Sequence, residues 1–183
     1  MMRALAALPL LFSAACFNPV ESDLVDSLGP EVPGVEESEF HRFGQPCLAC
    51  HDRGGESPHF SVAGTVFATQ NEDIPVAGAK VILVDAAGQR FEKTTNCAGN
   101  FFIEPEQFTP QYPMHVEIEC PLPDGSVRRA VMGTRIGRNG SCAGCHDKGP
   151  PSPTSPGRVF CLPGQPDPPF TIPTPCAGGP TPQ

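Results

Sequence analysis

The sequence predicts a mainly β protein whose central part is an antiparallel sandwich. Between residues 60 and 132, short strand-like segments alternate with turn residues at intervals of about 8–12 residues, as in β-sandwiches. The chain has 24 Pro and 19 Gly among 183 residues, which favours loops over long helices. Its length provides one modest domain with further segments at each end.

Changes in composition divide the chain into six segments. From the N-terminus we assign an export signal (1–15), an acidic flexible tether (16–39), a cysteine- and histidine-containing segment (40–59), the β-sandwich domain (60–132), a second cysteine- and histidine-containing segment (133–149) and a proline-rich C-terminal arm (150–183). The arm holds 12 of the 24 prolines and is expected to be extended. The alternative for the arm is a disordered end.

The first residues have the composition of an export signal. Arg3 precedes an apolar stretch, Ala4–Phe12, that is too short to span a membrane. Ser13-Ala14-Ala15 followed by Cys16 resembles a bacterial lipoprotein signal, which implies that Cys16 becomes a lipidated N-terminus. The alternative is ordinary cleavage after Ala15. Because no Asp follows Cys16, the resemblance favours the outer membrane over the inner membrane. A location in the periplasm or at the cell surface is the alternative.

Charge and cysteine content exclude some classes of function. Residues 17–39 contain seven acidic residues and no Lys or Arg, so we expect a solvated tether without fixed structure. The net charge of −8 disfavours binding to nucleic acid, because the phosphates would be repelled. Nine cysteines fit an oxidising compartment outside the cytoplasm.

Six strand-like segments build the predicted sandwich. In the clearest of them, Met114, Val116 and Ile118 alternate with polar residues and are expected to face the core. A continuous apolar run, Ala79–Asp85, is expected to be buried on both faces. The six segments are Phe60–Ala68, Ala79–Asp85, Gln89–Thr95, Phe101–Glu104, Met114–Glu119 and Val127–Met132.

Three stretches of the central region resemble the carboxypeptidase regulatory-like domain. They are Gly64-Thr65-Val66, Val76-Ala77-Gly78-Ala79-Lys80-Val81 and Thr94-Thr95-Asn96-Cys97-Ala98-Gly99-Asn100-Phe101. The resemblance covers residues 60–132 and implies a Greek-key, transthyretin-like sandwich. Members of that family are mostly scaffolds and binding or adhesion modules, so the resemblance says little about function.

The pattern C-x-x-C-H occurs twice, at residues 47–51 and 142–146, on either side of the predicted sandwich. It is the attachment signal of a c-type haem: two cysteines form thioethers with the haem, and the adjacent histidine ligates the iron. Both segments resemble c-type cytochromes locally, although no long cytochrome helix pattern surrounds them. We therefore expect two haem c groups, with Cys47, Cys50, Cys142 and Cys145 as attachment residues and His51 and His146 as proximal ligands.

Disulfides or a zinc site are the alternatives for the motif cysteines. A zinc ribbon separates its C-x-x-C pairs by about 15–20 residues, whereas here 91 residues (51–141) separate them. Disulfides would leave both adjacent histidines unexplained. Because the haem segments (40–59 and 133–149) bracket a compact domain, we hypothesise that the two haems form a stacked or edge-contacting pair.

Each iron has a second axial position, for which the candidate distal ligands are His41, His59, His115, Met114 and Met132. We favour His59 for one iron, the second haem in particular because the loop before it is short, and His41 or Met132 for the other. Methionine would raise the reduction potential, and a second histidine would lower it. The alternative is a surface position for each histidine and a core position for Met132.

Other side chains are expected to contact the haems. Phe40 and Phe43 would cover a haem face, and Arg42 would pair with a propionate; the alternative for Arg42 is a solvated charge. Val159 and Phe160 would pack the arm over the second haem.

The cysteines outside the haem motifs and beyond residue 16 are expected to form two disulfides. If residues 97–104 and 113–120 pair as antiparallel strands, Cys97 faces Cys120, which predicts a bond between them. Cys161 and Cys176 would then close a loop within the arm.

These observations predict an exported dihaem c-type cytochrome that transfers electrons and is not an enzyme. Its acidic surface favours a redox partner with a basic docking face, and its lipid anchor would contact the membrane. Self-association through the haems is permitted but not required. Two alternatives stay open: a haem-based peroxidase or gas sensor with one open axial position, and a non-haem binding or adhesion lipoprotein with disulfides.

Overall fold

The structure is a computed structural model that describes residues 19–29, 37–52, 57–147 and 149–170. In these ranges strands outnumber helices, which confirms the predicted mainly β class. The export signal, Cys16 and Cys176 lie outside the described residues. The elements are helices α1 (Pro19–Ser27) and α2 (Leu48–His51), strands β1 (Val62–Thr65), β2 (Phe67–Thr69), β3 (Lys80–Val84), β4 (Arg90–Thr94), β5 (Asn100–Ile103), β6 (His115–Pro121), β7 (Val127–Val131) and β8 (Phe160–Leu162), and a 3-10 turn at Cys142–Gly144.

The strands form two layers around one core. One layer is an antiparallel sheet with the strand order β4-β3-β6-β7. In the other layer, β1 pairs antiparallel with β5, and β2 pairs in parallel with β8. Side chains of both layers meet in a single buried cluster that includes Val62 of β1, Phe101 of β5, Leu83 of β3 and Val116 of β6. The packing is that of a sandwich, while the Greek-key connection stays a prediction.

Strand β6 and the residue before it show how the sequence pattern produces the fold. Met114, Val116 and Ile118 are buried, as their alternation predicts. Val116 and Ile118 lie opposite Leu83 and Val81 of β3. The three central residues of β3 are all buried, which confirms that this strand is covered on both faces.

The predicted disulfides Cys97–Cys120 and Cys161–Cys176 are wrong, because β5 and β6 do not pair with each other. Strand β5 pairs with β1 in one layer, whereas β6 lies between β3 and β7 in the other. The structure instead joins Cys120 to Cys161, with Cα atoms 5.8 Å apart and both side chains buried. Cys97 is also disulfide-bonded. The Cys120–Cys161 bond therefore ties β6 to β8, across the two layers.

The segment predicted to be a flexible tether contains helix α1, which corrects that prediction. Pro19 is its first residue, and the fixed φ of proline suits the first turn of a helix. The chain after the helix is held against the first haem segment. Arg42 donates to the carbonyl of Gly29 at 3.1 Å, and the amide of Gln45 donates to the carbonyl of Leu28 at 3.4 Å. These contacts between distant residues were not visible in the local acidic composition.

The C-terminal arm is part of the fold up to residue 170. Phe160 of β8 lies opposite Phe67 of β2. Arg158 is only 8% exposed, and its guanidinium donates to the carboxylate of Asp73 at 2.7 Å and to the carbonyl of Gln70 at 3.0 Å. Because a buried guanidinium must be paired, these bonds fix the arm to the chain after β2.

Asp85 holds the turn between β3 and β4. Its carboxylate accepts hydrogen bonds from the backbone N–H groups of Gln111, Gln89 and Ala87 at 3.0, 2.8 and 2.9 Å. These bonds, foremost that from Gln111, lower the pKa of Asp85 below its ordinary value. The ionised carboxylate therefore adds stability above the ordinary pKa of about 4, and this stability is lost as the pH falls through the lower folded pKa.

Replacement of Asp85 by asparagine should lower the urea midpoint of unfolding at pH 7, because the acceptor loses its charge and one of its oxygens. It should also make the midpoint less dependent on pH between about 5 and 2, since asparagine does not titrate. Urea unfolding followed by circular dichroism over that range measures both effects. Glu106→Gln, at an exposed position, is the control. A pH profile of Asp85→Asn parallel to that of the wild type would contradict the prediction.

Candidate haem-binding sites

Each C-x-x-C-H motif forms one tight turn. In the first motif, the N–H groups of Cys50 and His51 both donate to the carbonyl of Cys47, at 3.2 and 3.0 Å. The second motif repeats this turn around the carbonyl of Cys142, at 3.1 and 2.8 Å. The repeated sequence therefore folds into a repeated local structure, in which a histidine follows directly on a turn that carries two thiols.

Both motif histidines are held in the same way by a backbone carbonyl. Nδ1 of His51 lies 2.6 Å from the carbonyl oxygen of Pro58, and Nδ1 of His146 lies 2.8 Å from that of Gly157. Because a carbonyl can only accept, Nδ1 carries the proton and donates it. Nε2 of each ring is left with the free electron pair that a metal ion binds.

The four motif thiols are unpaired, with Cys50 and Cys145 exposed and the other two partly buried. Withdrawal from water raises the pKa of Cys47 to about 11 and that of Cys142 to about 12. For Cys142, interaction with the Cys47 and Cys145 thiols adds to the effect of burial. At neutral pH both buried thiols are protonated.

The two motifs meet at strand β1. Ala63 packs with Leu48 of the first motif, and its N–H donates at 3.0 Å to the carbonyl of Gly140, just before the second motif. The next residue, Gly64, lies so close to Cys142 that an added Cβ would be 2.7 Å from the Cβ of that cysteine. The two motif segments therefore lie next to each other at β1, and contact between haems stays a prediction.

An aromatic stack orients the first histidine. The ring of His51 stacks on Phe60 with centroids 4.4 Å apart, and Phe60 stacks on Phe102 at 4.8 Å. This stack was not predicted from the sequence. Phe43, which was predicted to cover a haem face, packs against Phe67 with ring centroids 6.3 Å apart. Strand periodicity was the sequence signal for the position of Phe102, because successive side chains in a strand point to opposite faces. The preceding residue of β5, Phe101, is buried in the core, so Phe102 faces the first motif.

A cavity of about 610 Å³ adjoins the first motif. Cys47, Cys50 and His51 line it, together with His41 and Arg42. The volume lies in the range of about 300–1,000 Å³ that is usual for ligand sites. Thiols, an imidazole nitrogen and a cavity are the features that a covalently attached haem requires, so the residues present fit that group.

A second cavity, of about 970 Å³, adjoins the second motif and also lies in that range of about 300–1,000 Å³. Like the first cavity, it is lined by the two cysteines and the histidine of its motif. Val159 and Phe160 of the arm also line it, and their packing over a haem stays a prediction. Its described lining residues include Cys142, Cys145, His146, Met132, Val159 and Phe160.

The two cavities differ in the charges around them. Acidic side chains dominate the first, and arginines dominate the second. These arginines were not among the predicted site residues, although three of the four fall within residues 128–138 of an acidic chain. The acidic residues that line the first cavity are Glu37, Glu39 and Glu104, and the arginines that line the second are Arg128, Arg135, Arg138 and Arg158.

Two of the candidate distal ligands lie at the cavities. The ring of His41 lies beside that of His51, with centroids 5.9 Å apart and planes inclined by 37°. Nδ1 of His41 contacts the backbone of Ser38, being close to its carbonyl oxygen and accepting a hydrogen bond from its N–H at 3.3 Å. Met132 lines the second cavity.

The other candidates lie elsewhere. His59 is exposed and is not among the described residues that line either cavity. His115 pairs with Glu117 at 3.2 Å on the outer face of β6. Met114 is fully buried in the core. The structure thus brings His41 and Met132 to the sites and does not bring His59, His115 or Met114 there.

The chain matches no protein-family model, no curated protein and no solved structure. The resemblances to the carboxypeptidase regulatory-like domain and to c-type cytochromes therefore stay predictions from the residues.

In the described ranges, no helix has the length and apolar character to cross a bilayer. His, Cys, Asp and Glu side chains of the same ranges form no group of three or more that could hold a metal ion.

Proposed function

We propose that this protein is an exported dihaem c-type cytochrome that transfers electrons and performs no bond chemistry. The observation that carries the proposal is the matched state of the two motifs. In each, Nδ1 of the histidine is bound to a carbonyl and Nε2 is free, beside two unpaired thiols and a cavity. A bound haem would supply a one-electron couple at its iron, and the chain would set its potential, exposure and docking.

The residues have distinct roles in this proposal. The motif cysteines anchor the haems, and the carbonyls of Pro58 and Gly157 keep the two histidines oriented. Arg42, which lines the first cavity, and Arg135 and Arg138, which line the second, would pair with haem propionates, because guanidinium groups bind carboxylates well.

A basic redox partner fits the first haem site. Glu37, Glu39 and Glu104 at that cavity, together with the net charge of −8, favour a donor with a positive docking face. Association should therefore weaken as ionic strength rises. Cleavage and lipidation at Cys16 would hold the protein at the outer membrane; without lipidation it would be periplasmic or at the cell surface.

A haem-based gas sensor or peroxidase is the second candidate. It is favoured by the second cavity, where His146 is the one histidine among the described lining residues. An iron with an open axial position there would bind carbon monoxide in the reduced wild-type protein, whereas a six-coordinate iron would resist it.

Haem stoichiometry tests the proposal directly. The chain is produced with cytochrome c maturation machinery, and a pyridine haemochrome spectrum is combined with the mass of the intact protein. The wild type should carry two covalent haems. Cys47→Ala/Cys50→Ala and Cys142→Ala/Cys145→Ala should each carry one, so that each variant is the control for the other. A wild type without covalent haem would overturn the proposal and favour a disulfide-containing binding or adhesion lipoprotein.

A further inference from the structure

We infer that the two haems have different axial ligands: His51 and His41 at the first, and His146 and Met132 at the second. This inference rests on the proposed function. It makes the first haem the one of lower potential, because methionine ligation raises the potential relative to ligation by two histidines. Electrons would enter at the first haem and leave from the second.

The spacing of two imidazole rings carries the assignment of His41. A metal–imidazole bond measures about 2.0–2.1 Å, so rings on opposite sides of one metal ion have centres separated by two bonds and about one ring width, or about 6 Å. The rings of His41 and His51 are 5.9 Å apart. Nδ1 of His51 is bound to the carbonyl of Pro58, and Nδ1 of His41 contacts both the carbonyl oxygen and the N–H of Ser38, so in each ring Nε2 is the nitrogen that would bind iron.

The segment that carries His41 is positioned by a buried polar network on β1 and β5. The side-chain amide of Asn100 donates to the carbonyls of His41 and Glu39 at 3.2 and 3.4 Å. The hydroxyl of Thr65 donates to Asn100 Oδ1 and accepts from the N–H of Gly44, both at 2.7 Å. Asn100 and Thr65 are buried, so His41 is presented to His51 by the sandwich itself.

Met132 is the corresponding residue at the second cavity. Among the described lining residues it is the one side chain, apart from His146 and the cysteines, with a nitrogen or sulfur atom suited to haem iron. Its N–H donates to the carbonyl of Val116 at 3.0 Å, which fixes the chain at the end of β7. A thioether adapts readily to an irregular site, as axial ligation requires.

Bound at these residues, each haem would supply a one-electron iron couple. A one-electron donor protein would reduce the haem held by His51 and His41, and a one-electron acceptor protein would reoxidise the haem held by His146 and Met132. No bond would form or break, and no proton would be needed. The difference in ligands would make transfer from the first haem to the second energetically downhill.

The wild-type spectra test the inference without any variant. Haem count is measured first, so that absence of covalent haem overturns the proposed function. With two haems bound, ferric electron paramagnetic resonance and near-infrared magnetic circular dichroism should show one two-histidine and one histidine–methionine low-spin haem. A redox titration should show two separate waves. Two identical six-coordinate haems would overturn the inference while the proposed function stands. Carbon monoxide binding to the reduced wild type would overturn the inference and favour the gas sensor or peroxidase instead.

Variants then assign the residues. His41→Ala should keep two haems but convert the first to a high-spin form that binds carbon monoxide, with loss of the two-histidine signal and an upward shift of the lower wave. His59→Ala, at the exposed histidine, is the matched control and should leave every spectrum unchanged. Met132→Leu should abolish the histidine–methionine signal and leave the other intact. A high-spin haem in His59→Ala, with His41→Ala unaffected, would reverse the assignment of the first site.

Discussion

Replacing Gly140 by alanine is expected to break the junction between the second motif and strand β1, at a cost of about 2–4 kcal/mol. The added Cβ would overlap the carbonyl oxygen of Ser61 and lie 2.9 Å from the Cα of Val62. Both are backbone atoms of a chain that lies between the two motifs, so relief requires moving the chain itself. The hydrogen bond from the N–H of Ala63 to the Gly140 carbonyl would be weakened at the same time.

Two measurements check this result. Urea unfolding should give a lower free energy of unfolding, and the haem count should fall at the second site while the first stays filled. Gly137→Ala is the matched control, because nothing lies within 4 Å of a Cβ at that position. If Gly140→Ala proved as stable as Gly137→Ala, the close contact between the second motif and β1 would be disproved.

Removing the Cys120–Cys161 disulfide should have an effect of similar size. The cysteines are 41 residues apart, and closing a loop of that length removes enough chain entropy from the unfolded state to contribute about 4 kcal/mol. The double variant Cys120→Ala/Cys161→Ala avoids a leftover thiol that could form wrong disulfides. We expect it to unfold at a clearly lower urea concentration than the wild type, with little change at the first motif.

Peptide mapping of the unreduced protein provides the control on connectivity. A peptide pair linked through Cys120 and Cys161 is expected, and a pair linked through Cys97 and Cys120 would contradict the structure. An unchanged urea midpoint in the double variant would show that the disulfide, if formed, does not stabilise this fold.

Patterns within short stretches of the sequence correctly predicted features that depend on neighbouring residues, namely the buried face of a strand and the turns of the C-x-x-C-H motifs. The alternation around Val116 fixes which face of β6 is buried, since neighbouring side chains in a strand point to opposite sides. The repeated C-x-x-C-H motif predicts two equivalent turns, and the hydrogen bonds around Cys47 and Cys142 match. In both cases the relevant contacts lie within a few residues.

Features that depend on distant contacts could not be predicted in this way. Cys120 was assigned the wrong partner because a hairpin was assumed where the chain crosses to the other layer. Strand β8 pairs in parallel with β2, about half the chain away, in a proline-rich segment without strand periodicity. Distance along the chain likewise favoured His59, whereas the network through Asn100 places His41 beside the first motif. All three features depend on contacts between segments that are far apart in the sequence.

The Cys120–Cys161 bond also makes a covalent ring that contains the second motif. Within that ring, Arg135 and Arg138 lie in an exposed stretch between β7 and the motif, which a trypsin-like protease would cut. A single cut there opens the ring without releasing a fragment. The nicked protein would migrate as one species without reductant and as two with it, so a clipped chain would keep its second motif attached to the fold.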